Sequence, residues 1–140
     1  ASVWSVTSWG ELRREALAAD EENFLNPSAP RRIPYLTSRL AGAHGPFVAT
    51  SDYDHAVPDL IRPWVPGSYH VLGADGFGFS DTRAAARRHY LIDAESVVVK
   101  ALQAVADDGG LSREVLQHAV DRYDLSNVGA GRSGAQGGES

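Results

Sequence analysis

"GADGFGFSDTRAAARRHY", residues 73–90, closes an apolar run, turns on Gly76 and Gly78 and opens a helix. Strand, glycine turn and helix in that order make one unit of a parallel α/β fold, and they also make a phosphate-binding loop. The two readings part at the third position of the Gly-x-Gly-x-x-Gly fingerprint, which Asp81 holds. A carboxylate there stands where a pyrophosphate would meet the helix N-terminus, and Asp75 adds a second negative charge beside the turn. No Lys-Ser/Thr pair of a P-loop follows, and the nearest base is Arg83. The residues favour a structural turn. In that reading Gly76 and Gly78 let the chain reverse so that Phe77 is buried, Ser80 or Asp81 caps the helix, and Arg83 pairs with Asp75 or Asp81. The alternative is an autonomous small-ligand or nucleotide-binding module that uses the Gly76–Gly78 loop.

Upstream of the turn, "YHVLG" predicts a strand around His70–Gly73, and "PFVATSD" another at Phe47–Thr50. Between them "DHAVPDLIRPWV" reads as a short helix, with Pro58 near its first turn and Pro63 closing it. Pro27, Pro30 and Pro34 make "NFLNPSAPRRIPYL" a long connection. Before it, Ser8 and Glu11 form a capping box for a helix over Trp9–Glu22 that buries Leu12, Ala16 and Ala19. "SVWSVTS" is rich in residues that fit a pleated surface, so Val3–Thr7 is expected to be a strand.

Downstream, three helices are expected. The first carries Ala84–His89. Asp93 caps the second, whose apolar face reads as Val97, Val98, Ala101, Leu102, Val105 and Ala106, with Gly109-Gly110 ending it. Ser112 caps the third, with Val115, Leu116, Ala119, Val120 and Tyr123 turned inward. Residues 1–126 then form one domain, and 127–140, rich in glycine, a flexible tail. The alternation predicts a small, mainly parallel sheet flanked by helices. A first strand as apolar as Val3–Thr7 wants neighbours on both sides, so a preceding strand and helix are expected to be missing.

The composition excludes several functions. Thirteen basic against 18 acidic residues give a net charge of -5, and the basic residues cluster only weakly, at Arg31-Arg32 and Arg87-Arg88, which does not suit a nucleic-acid partner. There is no cysteine, and hence no disulfide, thiol nucleophile or Cys-based metal site. No apolar run approaches the roughly 20 residues that span a bilayer, so no membrane partner and a cytoplasmic location are expected. Asp52 and Asp54 form a carboxylate pair that resembles half a divalent-ion site, but two acids without a third ligand more often make a turn and a cap. His44, His55, His70, His89 and His118 show no metal-ligand spacing, and no Gly-x-Ser-x-Gly elbow is present. No catalytic, cofactor-binding or metal-binding residue is therefore assigned.

In order and spacing, "VWSVTSWGELRREA", "PRRIPYL", "PFVATSDY", "WVPGSYHVLGADGFGFSDTR" and "HYLIDAESVVVKAL" resemble the C-terminal domain of the homodimeric pyruvate dehydrogenase decarboxylating component. The resemblance runs from Val3 to about Leu125 and departs at Phe79, where a basic residue is common in the family. It implies a transketolase-like C-terminal domain, here without its first strand and helix. It also implies a thiamine-diphosphate- and Mg2+-dependent parent that decarboxylates pyruvate and acetylates a lipoyl group. Its expected partners are a second copy of the parent subunit and the dihydrolipoyl acyltransferase core. The family's cofactor signature, Gly-Asp-Gly with a downstream Asn-Asn, is not in this chain, so the resemblance places no cofactor on this segment. The expected role is non-catalytic support of dimer and complex assembly.

Overall fold

The computed structural model describes residues 1–78 and 80–129. Helix α1 (Trp9–Leu25) is followed by α2 (Tyr35–Leu40), strand β1 (Phe47–Thr50), the short helix α3 (Ala56–Asp59), a 3-10 turn (Arg62–Trp64) and strand β2 (Tyr69–Leu72). Three helices close the described chain: α4 (Arg83–His89), α5 (Ala94–Asp107) and α6 (Arg113–Tyr123).

β1 and β2 pair in parallel, with Phe47 opposite Tyr69 and Thr50 opposite Leu72. Their pairing continues past the strand ends, where the Ser51 amide donates to the Leu72 carbonyl (3.1 Å) and the Ala74 amide to the Tyr53 carbonyl (2.8 Å). The sheet thus has two strands among the described residues, not three. The strand expected at Val3–Thr7 does not form: Val3 and Trp4 are exposed, and the segment pairs with no other backbone. Strand propensity alone does not hold a strand without a neighbour to take its amides and carbonyls.

One core cluster lies between α2 and the turn after α3. Leu36, Leu40 and Ile61 are buried together, and Trp9, Leu12, Phe47, Trp64, Val65 and Tyr69 pack against them. α1 contributes its small side chains, Ala16 and Ala19, both fully buried, so the neighbouring chain approaches it closely. Two long-range bonds fix this end: Trp64 Nε1 donates to Asp20 (2.8 Å), and Thr37 Oγ1 donates to the Trp64 carbonyl (2.7 Å). The Tyr69 hydroxyl donates to the Pro58 carbonyl, and burial pushes that phenol up to about 12.

Several local expectations change. α2 forms within the stretch expected to be a proline-rich connection; Pro34 does not break the helix, because it stands as the residue just before its first turn. Ser8 accepts the Glu11 amide as expected, but the Glu11 carboxylate turns to Arg14 instead of back to Ser8. α5 is rotated from the predicted face. Its buried positions are Ser96, Val99 and Ala104, while Val98 and Val105 are exposed. The sheet takes the small side of the helix, and a serine among the buried positions hid that side from a hydrophobic count. In α6 the expected inward residues are half-buried except Val115, which is exposed. Asp93 and Ser112 cap α5 and α6, and Gly109, at φ +80°, closes α5 with the Gly110 amide bonded to the Val105 carbonyl. Most of the predicted tail, residues 130–140, lies outside the described residues.

Candidate glycine loop and the cleft beside it

Both parallel strands discharge their chains at one edge, and the glycine loop sits there. In open parallel sheets this carboxyl edge is where ligands collect, because the strand ends diverge and leave a crevice. From β1 come Asp52, Asp54 and His55. From β2 come Gly73, Ala74 and Asp75. Gly73 is needed for close approach: a Cβ on it would stand 2.6 Å from the His55 nitrogen and 2.8 Å from the Asp54 carbonyl carbon.

Asp75 is the residue that joins the two exits. Its Oδ1 accepts the His55 amide at 2.8 Å, and its Oδ2 lies 2.6 Å from His55 Nδ1. That ring nitrogen has no aligned hydrogen bond, so the second contact acts through charge when the imidazole is protonated. The backbone amide is the chief reason that the Asp75 carboxyl is held below its ordinary value, with the nearby imidazole helping. Arg83, the partner expected from the sequence, is not the partner found.

The loop departs from expectation at its tip as well. Gly76 has φ +101°, the left-handed conformation that makes glycine useful there, while Gly78 has no such constraint and open space around it. Phe77 is 98% exposed rather than buried, because its backbone, not its ring, is the anchored part: the Tyr90 hydroxyl donates to the Phe77 carbonyl. Neither Ser80 nor Asp81 caps α4. Thr82 does, its hydroxyl accepting the Ala85 amide (3.2 Å), and Asp81 instead accepts the Thr82 amide (2.7 Å). Thr82 was legible as an N-cap residue type one position further along. Phe79 lies outside the described residues.

Beside the loop is an open cleft of about 220 Å3. Arg83, Ala86, Arg87 and Tyr90 form one wall, Asp52 and Ala74 the other, and Ile92 completes the lining. Arg87 reaches Asp52 across it at 3.3 Å, so Asp52 serves an ion pair and not the metal pair considered with Asp54. Among the described residues no group of three His, Asp or Glu side chains is gathered in a way that would hold a metal ion.

Behind α4 the helix packing depends on a buried arginine. Arg88 is 4% exposed; it pairs with Asp93 and donates to the carbonyls of Tyr123 (3.0 Å) and Asp124 (3.3 Å). Glu95 stands 3.5 Å away. Burial alone would raise the Asp93 carboxyl, but hydrogen bonds from Ser96 and Arg88 together outweigh it and hold the group below its ordinary value.

Residues 1–93 match the family described as "Transketolase-like TK C-terminal domain". Over 130 residues, 93% of this chain, it is 54% identical to the pyruvate dehydrogenase E1 component of Mycolicibacterium smegmatis, and 52% identical to that of Mycobacterium tuberculosis. The Escherichia coli K12 pyruvate dehydrogenase E1 component is 38% identical over 124 residues. The chain spans 14% of the length of each of these relatives.

Proposed function

The chain belongs to the transketolase-like C-terminal domain family, and we propose that it works as the non-catalytic C-terminal domain of a pyruvate dehydrogenase E1 component, supporting subunit pairing and complex assembly. The observation that carries this reading is 54% identity spread over 93% of the chain, against a relative of which that chain is only 14%. A match so continuous over so small a share fits a piece of a larger enzyme. In this proposal the parent decarboxylates pyruvate and acetylates a lipoyl group, and thiamine diphosphate supplies the carbanion chemistry from sites on other parts of the parent. The parent is a cytoplasmic homodimer that hands its acetyl group to a dihydrolipoyl acyltransferase core. No helix among the described residues is long and apolar enough to cross a membrane.

The structure supports a positioning role for this segment. Asp75 and Arg88 each tie together elements far apart in sequence, and two of the amides at the start of α4 are already taken: Thr82 holds that of Ala85, and Asp81 holds that of Thr82. This makes the nucleotide-binding reading of Gly76 and Gly78 the weaker one.

Deletion of this segment from the full-length parent tests the proposal. The deletion variant should sediment as monomer or aggregate and lose pyruvate-dependent acetylation of lipoyl domain, while the isolated chain should not bind thiamine diphosphate with Mg2+ in calorimetry. A deletion variant that stays dimeric and fully active, or saturable micromolar cofactor binding by the isolated chain, would overturn it.

A further inference from the structure

We propose that the cleft between α4 and the β1 and β2 exits binds a small oxyanion, a carboxylate or a phosphate monoester, with Arg83 and Arg87 as its two cationic ligands. This site is independent of the parent reaction proposed above. Arg83 and Arg87 are one helical turn apart, which puts both guanidinium groups on one side of α4, and both line the same cleft. They face one carboxylate between them. Asp52 pairs with Arg87 at 3.3 Å, and Arg83 has no ion-pair partner among the described residues.

The neighbouring acids that argue against an anion at the glycine turn do not line this space. Asp75 is turned to His55, and Asp81 to the Thr82 amide. The rest of the lining, Ala74, Ala86, Tyr90 and Ile92, is mostly apolar, so an oxyanion there would meet two planar donors beside an apolar floor. At about 220 Å3 the cleft is smaller than the roughly 300–1,000 Å3 of drug-sized sites, which limits the ligand to a few heavy atoms beyond the anionic group. It also lies outside the carboxyl ends of parallel strands, the place where such folds accept ligands.

Asp52 gives the proposal a distinguishing test, because it competes with the ligand for Arg87. Inorganic phosphate and acetate would be titrated separately into this chain and into the full-length gene product, following amide and guanidinium shifts by NMR and affinity by calorimetry; the two arms separate phosphate from carboxylate ligands. Saturable shifts centred on Arg83, Arg87 and Ala74 are expected for at least one anion. Arg83→Gln should weaken binding at least tenfold, and Asp52→Asn should strengthen it severalfold by releasing Arg87. Circular dichroism of each variant separates lost binding from lost folding, and the Asp52→Asn gain cannot come from unfolding. Absence of saturable shifts in both proteins, or affinity unchanged by both substitutions, would overturn the proposal.

Discussion

Asp75 holds His55 through two of its groups, the backbone amide at 2.8 Å and Nδ1 at 2.6 Å, and so fastens the exit of β1 to the exit of β2. Because the amide is the chief cause of the lowered Asp75 carboxyl, removing the imidazole leaves the largest single contribution in place. In a carbon-detected titration, Asp75 of the wild-type chain should have its midpoint below the ordinary 3.8, and His55→Ala should move it only part of the way back. A midpoint in His55→Ala at the ordinary value would show that the ring, not the amide, sets the carboxyl.

Acid should loosen the α4–α5 junction. The folded value of Asp93 is lowered, so its stabilising contribution is complete above the ordinary 3.8 and fades as the pH falls through the lowered value. Wild-type stability measured by urea titration should therefore drop on going from pH 5 to below pH 3.8, and Asp93→Asn should be less stable at pH 5 but flatter across that window. Parallel pH profiles for the two proteins would contradict the assignment.

Removing the Arg88 guanidinium should be among the costliest single changes. Arg88→Met leaves the Asp93 carboxylate without its cationic partner and the Tyr123 carbonyl without its arginine donor, while the Asp124 carbonyl keeps the Asn127 amide, at a cost of about 3–5 kcal/mol by the measure of broken buried pairs. Chemical denaturation at pH 7 reads it directly. A loss under 1 kcal/mol would mean that solvent replaces the arginine at no great cost.

The three loop glycines should differ in their tolerance of alanine. Gly73→Ala drives a methyl into the Asp54–His55 backbone and should cost about 1–3 kcal/mol. Gly76→Ala has room but sits at φ +101°, for about 1–2 kcal/mol, and Gly78→Ala has neither obstacle and should be near neutral. Thermal unfolding ranks them. A nucleotide loop would instead demand glycine at 76 and 78.

How far the sequence was legible depended on where each interaction partner lies. The hydroxyl or carboxylate caps at Ser8, Asp93 and Ser112 and the close of α5 at Gly109 all rest on neighbours within a few residues, and they stand as read; β1 stands as well, although it pairs with β2 about 20 residues on, because its run of strand-forming residues is itself the signal. The small parallel sheet with flanking helices stands too, together with its transketolase-like family. The pairings across the fold were not readable. Asp75 with His55, 20 residues away, and Asp52 with Arg87, 35 away, are set by strand register and helix packing, so nearest-charge reasoning assigned Arg83 wrongly. Phe77 failed for a related reason: an aromatic ring reads as core material, yet in this loop the carbonyl is the anchored group. At α5 a buried serine broke the apolar count and turned the predicted face away from the sheet.

Arg88 also says where this polypeptide can be cut. The matched family segment stops at residue 93, which keeps the arginine with Asp93 but leaves behind the Tyr123 and Asp124 carbonyls that fill its other donors. A protein trimmed at that border would lose Glu95 and two of the three hydrogen-bond acceptors of Arg88, while one trimmed beyond Asp124 keeps the set whole. The shortest stretch that can be moved into another gene as a working part therefore ends with α6, and grafts or expression clones should place their junction after residue 124.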